Sequence, residues 1–180
     1  YPTHPDKPVI DNVSFDVKPG QTIAVVGPTG SGKSTIVKLL LGLYEGYTGS
    51  ITLDGQELRD CDPSSIRSFI ATVGQDARLF NRSVKFNITL GNPAISDNDV
   101  LSAIKMANAQ HVIDQLPDGI DGSLNQFGHQ LSSGEAQLIS FARALACPAP
   151  LILLDEATAN IDTINEHAIQ KATAELLKQR

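Results

Sequence analysis

Apolar positions follow a period of two near the start of this chain and a helical period further along, and the change of period lays out its elements. After a lead-in with three prolines between Tyr1 and Pro8, Val13, Phe15 and Val17 alternate as a half-buried strand that Pro19-Gly20 closes in a turn. Thr22 to Val26 is a short β-branched run that stops at Gly27. Ile36 to Leu43 then takes a helical stripe from Leu39, Leu40 and Leu43. The order is therefore strand, glycine loop, helix. Ser50 to Leu53 with the turn Asp54-Gly55 predicts a hairpin, and Phe69 to Val73 a further strand, together a small antiparallel β layer.

From Asp76 to about Leu131 the pattern is helical. Ser96 is placed to cap a helix that carries Val100, Leu101, Ile104 and Ala107 on one face, and Leu116-Pro117-Asp118-Gly119 interrupts it. A second helix is predicted from Gly134 to Ala146, with Leu138, Ile139, Ala142 and Leu145 on one stripe and Pro148 and Pro150 beyond its end. Leu151 to Leu154 reads as a buried strand. Asn165 to Arg180 reads as a helix with Ala168, Ile169, Ala172 and Leu176 on one face. The fold class is α/β.

Length and composition narrow this further. At 180 residues, 41% hydrophobic and 19% charged, the chain fits one globular domain and neither a disordered nor a collagen-like one. A net charge of -6 argues against a general binder of nucleic-acid backbone, so no nucleic acid partner is expected and any phosphate is held locally. Cys61 and Cys147 lie far apart with no ligand-like spacing, which suggests neither a zinc site nor a disulfide framework. No apolar run reaches the roughly 20 residues of a membrane span, and no signal peptide precedes the first strand, so a cytosolic setting is expected.

Two motifs carry chemistry in their own residues. Gly27-Pro28-Thr29-Gly30-Ser31-Gly32-Lys33-Ser34 matches G-x-x-x-x-G-K-[ST] between a predicted strand and a predicted helix. Such a loop curls backbone N–H groups around a β-phosphate and adds the positive end of the helix. Lys33 reaches the β- and γ-phosphates, and Ser34 ligates Mg2+. Leu151-Ile152-Leu153-Leu154 followed by Asp155-Glu156 has the form of a strand that delivers carboxylates to an active-site edge, Asp155 toward Mg2+ and Glu156 as general base for the attacking water. A third segment, Leu131-Ser132-Ser133-Gly134-Glu135, opens a predicted helix. By itself it is a capping box, although Ser132 and the N–H groups of Ser133 and Gly134 would also suit an anion.

The glycine loop at Gly27, Gln75 after a strand, LSSGE at Leu131, LILLDE at Leu151 and Ala159-Asn160-Ile161-Asp162 occur in the order of an ATP-binding cassette (ABC) transporter ATPase domain. The resemblance covers essentially the whole chain, and Pro8 to Thr35 together with Leu79-Phe80-Asn81 to Asn87-Ile88 resemble the exporter type. It implies a P-loop NTPase core with a mostly parallel sheet, at about residues 1–75 and 147–180 together with a small antiparallel β subdomain. An α-helical subdomain at about 76–146 is inserted between these segments. It also implies that Tyr1 stacks on adenine, that Gly27 through Thr35 line the nucleotide, and that Gln75 senses Mg2+ and the attacking water. Ser132 and Gly134 would face the γ-phosphate of a second such domain, identical or a sister, with Asp162 coupling the two sites. ATP, Mg2+, a partner ATPase domain and membrane domains are the implied cofactors and partners, at the cytoplasmic face of a membrane.

Departures from the family pattern are specific. The family signature is usually Leu-Ser-Gly-Gly-Gln, and here Ser133 and Glu135 replace a glycine and the glutamine while Ser132 and Gly134 are kept. Asn125-Gln126-Phe127-Gly128 stands where exporters usually carry a Gly-Glu-Arg-Gly-like stretch. None of His4, His111, His129 and His167 fills the place of the family's switch histidine, and the usual first strand is not seen before Tyr1, which is expected of a piece of a longer chain. Two further readings stay open at this stage. One is a nucleotide-dependent dimerisation module with little hydrolysis, the other a non-transport ABC ATPase of chromosome maintenance.

Overall fold

A computed structural model describes residues 1, 7–124, 131–155 and 163–178, and its contacts divide the chain into two compact units, residues 1–70 and 71–179. The sequence expectations for Glu156, Asp162, His4, His129 and Asn125–Gly128 lie outside the described residues.

The first unit holds helix α1 (Lys33–Leu40), strands β1 (Thr52–Leu53) and β2 (Gln56–Glu57), and helix α2 (Pro63–Phe69). The predicted hairpin forms: β1 and β2 pair antiparallel with Leu53 opposite Gln56, and Asp54 (φ 48°) and Gly55 (φ 82°) supply the two left-handed residues of a tight turn. Asp62 starts α2 by accepting from the Ser64 N–H, with Pro63 at the first helical position, where its missing N–H costs nothing. The Lys18–Gln21 turn closes through the Gln21 N–H on the Lys18 carbonyl at 2.9 Å, as Pro19-Gly20 requires.

The two predicted strands before the glycine loop are corrected. Residues 13–17 and 22–26 enter no ladder among the described residues, and Val13, Phe15 and Val17 remain about half exposed, Val26 almost fully. Alternation gives a run one apolar face but no partner. Without cross-strand pairs, β-propensity does not make a strand.

In the second unit, which holds all of strand β3 (Ile70–Val73) but its first residue, β3 pairs with strand β4 (Leu151–Leu154) in a sheet of two, and the single antiparallel layer read from the sequence is not formed among the described residues. Around the pair are α3 (Val84–Thr89), α4 (Asp97–Met106), α5 (Gln110–Asp114), α6 (Ser133–Ala146) and α7 (Thr163–Lys178). The core is continuous from Val73 and Val84 through Val100, Ile104, Leu138 and Phe141 to Ile169 and Leu176. Ser96 caps α4 as expected, in a reciprocal box with Asp99. Leu101, assigned from the sequence to the packed face of that helix, is instead 46% exposed, because Val100, Ala103, Ile104 and Ala107 already fill that face. Leu151 to Leu154 form the predicted strand but are half-buried at every position.

Candidate functional site

In the first unit the glycine loop runs directly into α1. The Ser31 N–H donates to the Pro28 carbonyl at 3.2 Å, and Gly30 (φ 83°) and Gly32 (φ 96°) take backbone conformations that side chains resist. A Cβ on Gly32 would stand 2.7 Å from Ile10 Cδ1 and 3.2 Å from the Val9 carbonyl oxygen, so a side chain there would have to displace both. Gly32 is the N-cap of α1 and no side chain caps that end. The first turn carries no acidic residue, so the positive pole of the helix is not neutralised by its own sequence. Lys33 folds over the loop, its Nζ donating to the carbonyls of Gly27 at 2.8 Å and Pro28 at 3.1 Å. Gly27 to Ser31 are exposed, and Ser34 and Thr35 follow half-buried on the helix. A lysine ammonium, a helix N-terminus without a side-chain cap and an exposed loop suit an anion, so these residues fit a phosphate group. Tyr1 shares a 2.7 Å hydrogen bond between its hydroxyl and that of Thr35, and its ring meets Tyr44 edge-on at 5.1 Å between centroids.

In the second unit the ends of β3 and β4 are tied together. The Asp155 N–H donates to the Val73 carbonyl at 2.9 Å, so Asp155 leaves β4 where Gln75 leaves β3 one residue after Gly74. Gln75 is exposed and Asp155 half-buried. Ser132 is the N-cap of α6: its N–H and hydroxyl donate to the Glu135 carboxylate at 2.8 and 2.9 Å, and its Oγ accepts from the Glu135 N–H at 3.2 Å. The capping box read from Ser132 and Glu135 is therefore formed. Gly134 is buried in the first turn of that helix.

Sequence reasoning missed three residues around Gln75. Gln137, only 3% exposed on α6, donates to the Gly74 carbonyl at 3.0 Å. Arg143, two turns on, donates from Nε to the Asn87 carbonyl at 2.7 Å and from Nη2 to the Arg78 carbonyl at 3.1 Å, and its burial lowers the guanidinium pKa. Asn87, fully buried, accepts from the Phe80 N–H at 2.7 Å and donates to the carbonyls of Phe80, Arg82 and Ser83. The signal was a polar residue at each of these places in an otherwise apolar run, Gln137 beside Leu138 and Ile139, and Asn87 between Phe86 and Ile88. Among the described residues no three His, Cys, Asp or Glu side chains cluster as a metal site, and no helix is long and apolar enough to cross a membrane. His111 and His167 are exposed.

The family model described as "ABC transporter" matches residues 10–159. The chain is 41% identical over its whole length to the multidrug resistance protein pgp-1 of Caenorhabditis elegans, of which it covers 14%. It is 42% identical over its whole length to the ATP-dependent lipid A-core flippase of Photobacterium profundum, covering 31% of that protein. It is 41% identical over 93% of its length to the mycobactin import ATP-binding/permease protein IrtB of Mycolicibacterium thermoresistibile, covering 29% of it. A bacterial Atm1-family ABC exporter solved with ATP bound superposes over 97% of this chain and 31% of its own, at a TM-score of 0.82 and 36% identity. The chain thus spans between 14% and 31% of the length of the relatives it matches. With the structural match and the family match agreeing over most of its length, the chain belongs to the ABC transporter family.

Proposed function

We propose that this chain binds Mg2+-ATP, pairs with a second such domain, and hydrolyses the nucleotide at the cytoplasmic face of a membrane to drive substrate export through membrane domains. The observation that carries the reading is the start of α1: a helix end without a side-chain cap or an acidic residue, behind Gly30 and Gly32 in positive-φ conformations, with Lys33 folded over the loop. The chain's relatives whose names specify ATP-binding or ATP-dependent action support it.

In this reading Gly27, Pro28, Thr29, Gly30, Ser31, Gly32 and Thr35 line the nucleotide, and Lys33 exchanges its two carbonyl acceptors for phosphate oxygens. Tyr1 stacks on the base. Ser34, Gln75 and Asp155 hold Mg2+, which when bound neutralises charge on the β- and γ-phosphates. Gln75 and Glu156 orient and deprotonate the attacking water. Ser132 and Gly134 present the start of α6 to the nucleotide of the partner domain, where a helix N-terminus stabilises the charge of the transferred phosphoryl group. The ATPase core with its small β subdomain is assigned to about residues 1–75 and 147–180, and the inserted helical subdomain to about 76–146.

The test is calorimetric titration of Mg2+-ATP into the full-length protein. Removing a charge-assisted contact of about 1.5–3 kcal/mol, Lys33→Ala weakens binding by roughly tenfold to a hundredfold. Unchanged affinity refutes the phosphate-loop assignment. Glu156→Gln then abolishes hydrolysis with binding retained, and an unaltered rate removes Glu156 from the mechanism.

A further inference from the structure

We propose that Gln137 is a positioning residue for hydrolysis: through the Gly74 carbonyl it fixes Gln75 to helix α6, so that Gln75 and Ser132 move as one body. The proposal rests on the role given to Gln75 and Ser132 above.

A glutamine side chain 3% exposed among Leu138, Ile139 and Phe141 is costly unless its polar atoms are satisfied, and its amide donates to a backbone carbonyl 63 residues away in sequence. That carbonyl belongs to Gly74, the residue immediately before Gln75. The same helix grips the far side of the segment. Arg143 donates to the carbonyls of Arg78 and Asn87, and the Asn87 side chain closes the loop by exchanging hydrogen bonds with both the N–H and the carbonyl of Phe80.

Residues 74–80 are thus tied to α6 at both ends, at Gln137 and at Arg143, six positions apart on one helix and hence roughly 9 Å apart along its axis. Ser132 caps the same helix five positions before Gln137. A helix of 14 residues with nine of them buried is a rigid bar, so Gln75 cannot shift without carrying the Ser132 end with it unless the Gly74 bond breaks. This gives the exposed Gln75 a fixed place that its own side chain does not supply. An ångström of misplacement of a water-orienting group costs turnover far more than it costs substrate binding.

The test uses the full-length protein and four variants. Gln137→Leu removes the donor at similar volume, and Arg143→Lys keeps the charge but loses the fork that spans two carbonyls. Each is expected to lower kcat for ATP hydrolysis about tenfold with KM for ATP unchanged within twofold. Each is also expected to speed hydrogen–deuterium exchange in the peptide over residues 74–80. Combined with Gln75→Ala, Gln137→Leu causes no further loss beyond Gln75→Ala alone, because both act through one group. An unchanged kcat, a parallel rise in KM, or losses that multiply in the double variant overturns the proposal. If Gln137→Leu fails to fold, Arg143→Lys decides by the same readouts. Gln75→Ala at the wild-type rate overturns the reading of Gln75 itself and this inference with it, and is told apart by the single variant.

Discussion

The Ser132 hydroxyl donates to the Glu135 carboxylate at 2.9 Å, so the one proton of that hydroxyl is committed within the first turn of α6. Ser132→Ala removes the cap and is expected to cost about 1 kcal/mol of stability. Glu135→Gln keeps an acceptor for the Ser132 N–H and gives up only the charge at the helix start, about 0.3–1 kcal/mol. Under the proposed function the same change takes a negative charge away from an approaching γ-phosphate, so ATP-driven pairing strengthens while stability falls slightly. Chemical unfolding and sedimentation with ATP measure the two effects. A fall in both would show that Glu135 assists the nucleotide.

Gly30 and Gly32 both have positive φ, yet they differ in what surrounds them. A Cβ on Gly30 meets nothing within 4 Å, whereas one on Gly32 meets Ile10 Cδ1 at 2.7 Å and the Val9 carbonyl at 3.2 Å. Gly30→Ala therefore carries only the left-handed backbone penalty, about 1 kcal/mol, and Gly32→Ala adds the displacement of Ile10 and Val9. Thermal unfolding should rank Gly32→Ala well below Gly30→Ala. Equal losses would mean that the Ile10 and Val9 contacts do not constrain the loop.

Acid sensitivity follows from the caps. The Ser96 hydroxyl, and then the Ser96 N–H, hold the Asp99 carboxyl below its ordinary value, and Ser64 does the same for Asp62. A group with a depressed folded pKa contributes stability that is present above its unfolded value, about 3.9, and is lost as pH falls through the folded value. The wild type should therefore melt higher than Asp99→Asn at neutral pH, with the two curves converging as the pH falls below the ordinary carboxylate range. A melting-temperature difference that does not shrink on acidification would show that Asp99 does not titrate with folding.

The parts legible in the sequence are those decided within a few residues. Asp54-Gly55 dictates a two-residue turn, and Ser96 and Ser132 each find an acid three positions on, so the hairpin and two helix starts were readable. The strands expected at 13–17 and 22–26 depend on a neighbour that alternation does not specify, and they are not formed among the described residues. Helix α3 went unread because six residues are too few for a period, and its Ser83 cap is its main local signal. At the candidate site the glycine loop is a contiguous motif. Gln137 and Gly74 are 63 residues apart and meet only after the helices pack.

Asn87 gives the sharpest stability prediction. It is fully buried on α3 and uses its side-chain oxygen for the Phe80 N–H and its amide for the carbonyls of Phe80, Arg82 and Ser83. It thereby ties down the stretch that leads from Gln75 into α3. Asn87→Ala takes the side-chain acceptor from the Phe80 N–H and opens a small void, while the carbonyls of Phe80, Arg82 and Ser83 keep the N–H groups of Arg82, Leu124 and Asn87, so a loss of about 2–4 kcal/mol is expected. Asn87→Asp keeps the acceptor for Phe80 but turns donors into a carboxylate facing three carbonyls, and it should be at least as destabilising at neutral pH. It should recover in part on acidification, as the carboxyl gains a proton to donate. Denaturant midpoints at pH 7 and pH 5 check both variants. An Asn87→Asp midpoint that does not rise at the lower pH would mean that the three carbonyls do not depend on the amide.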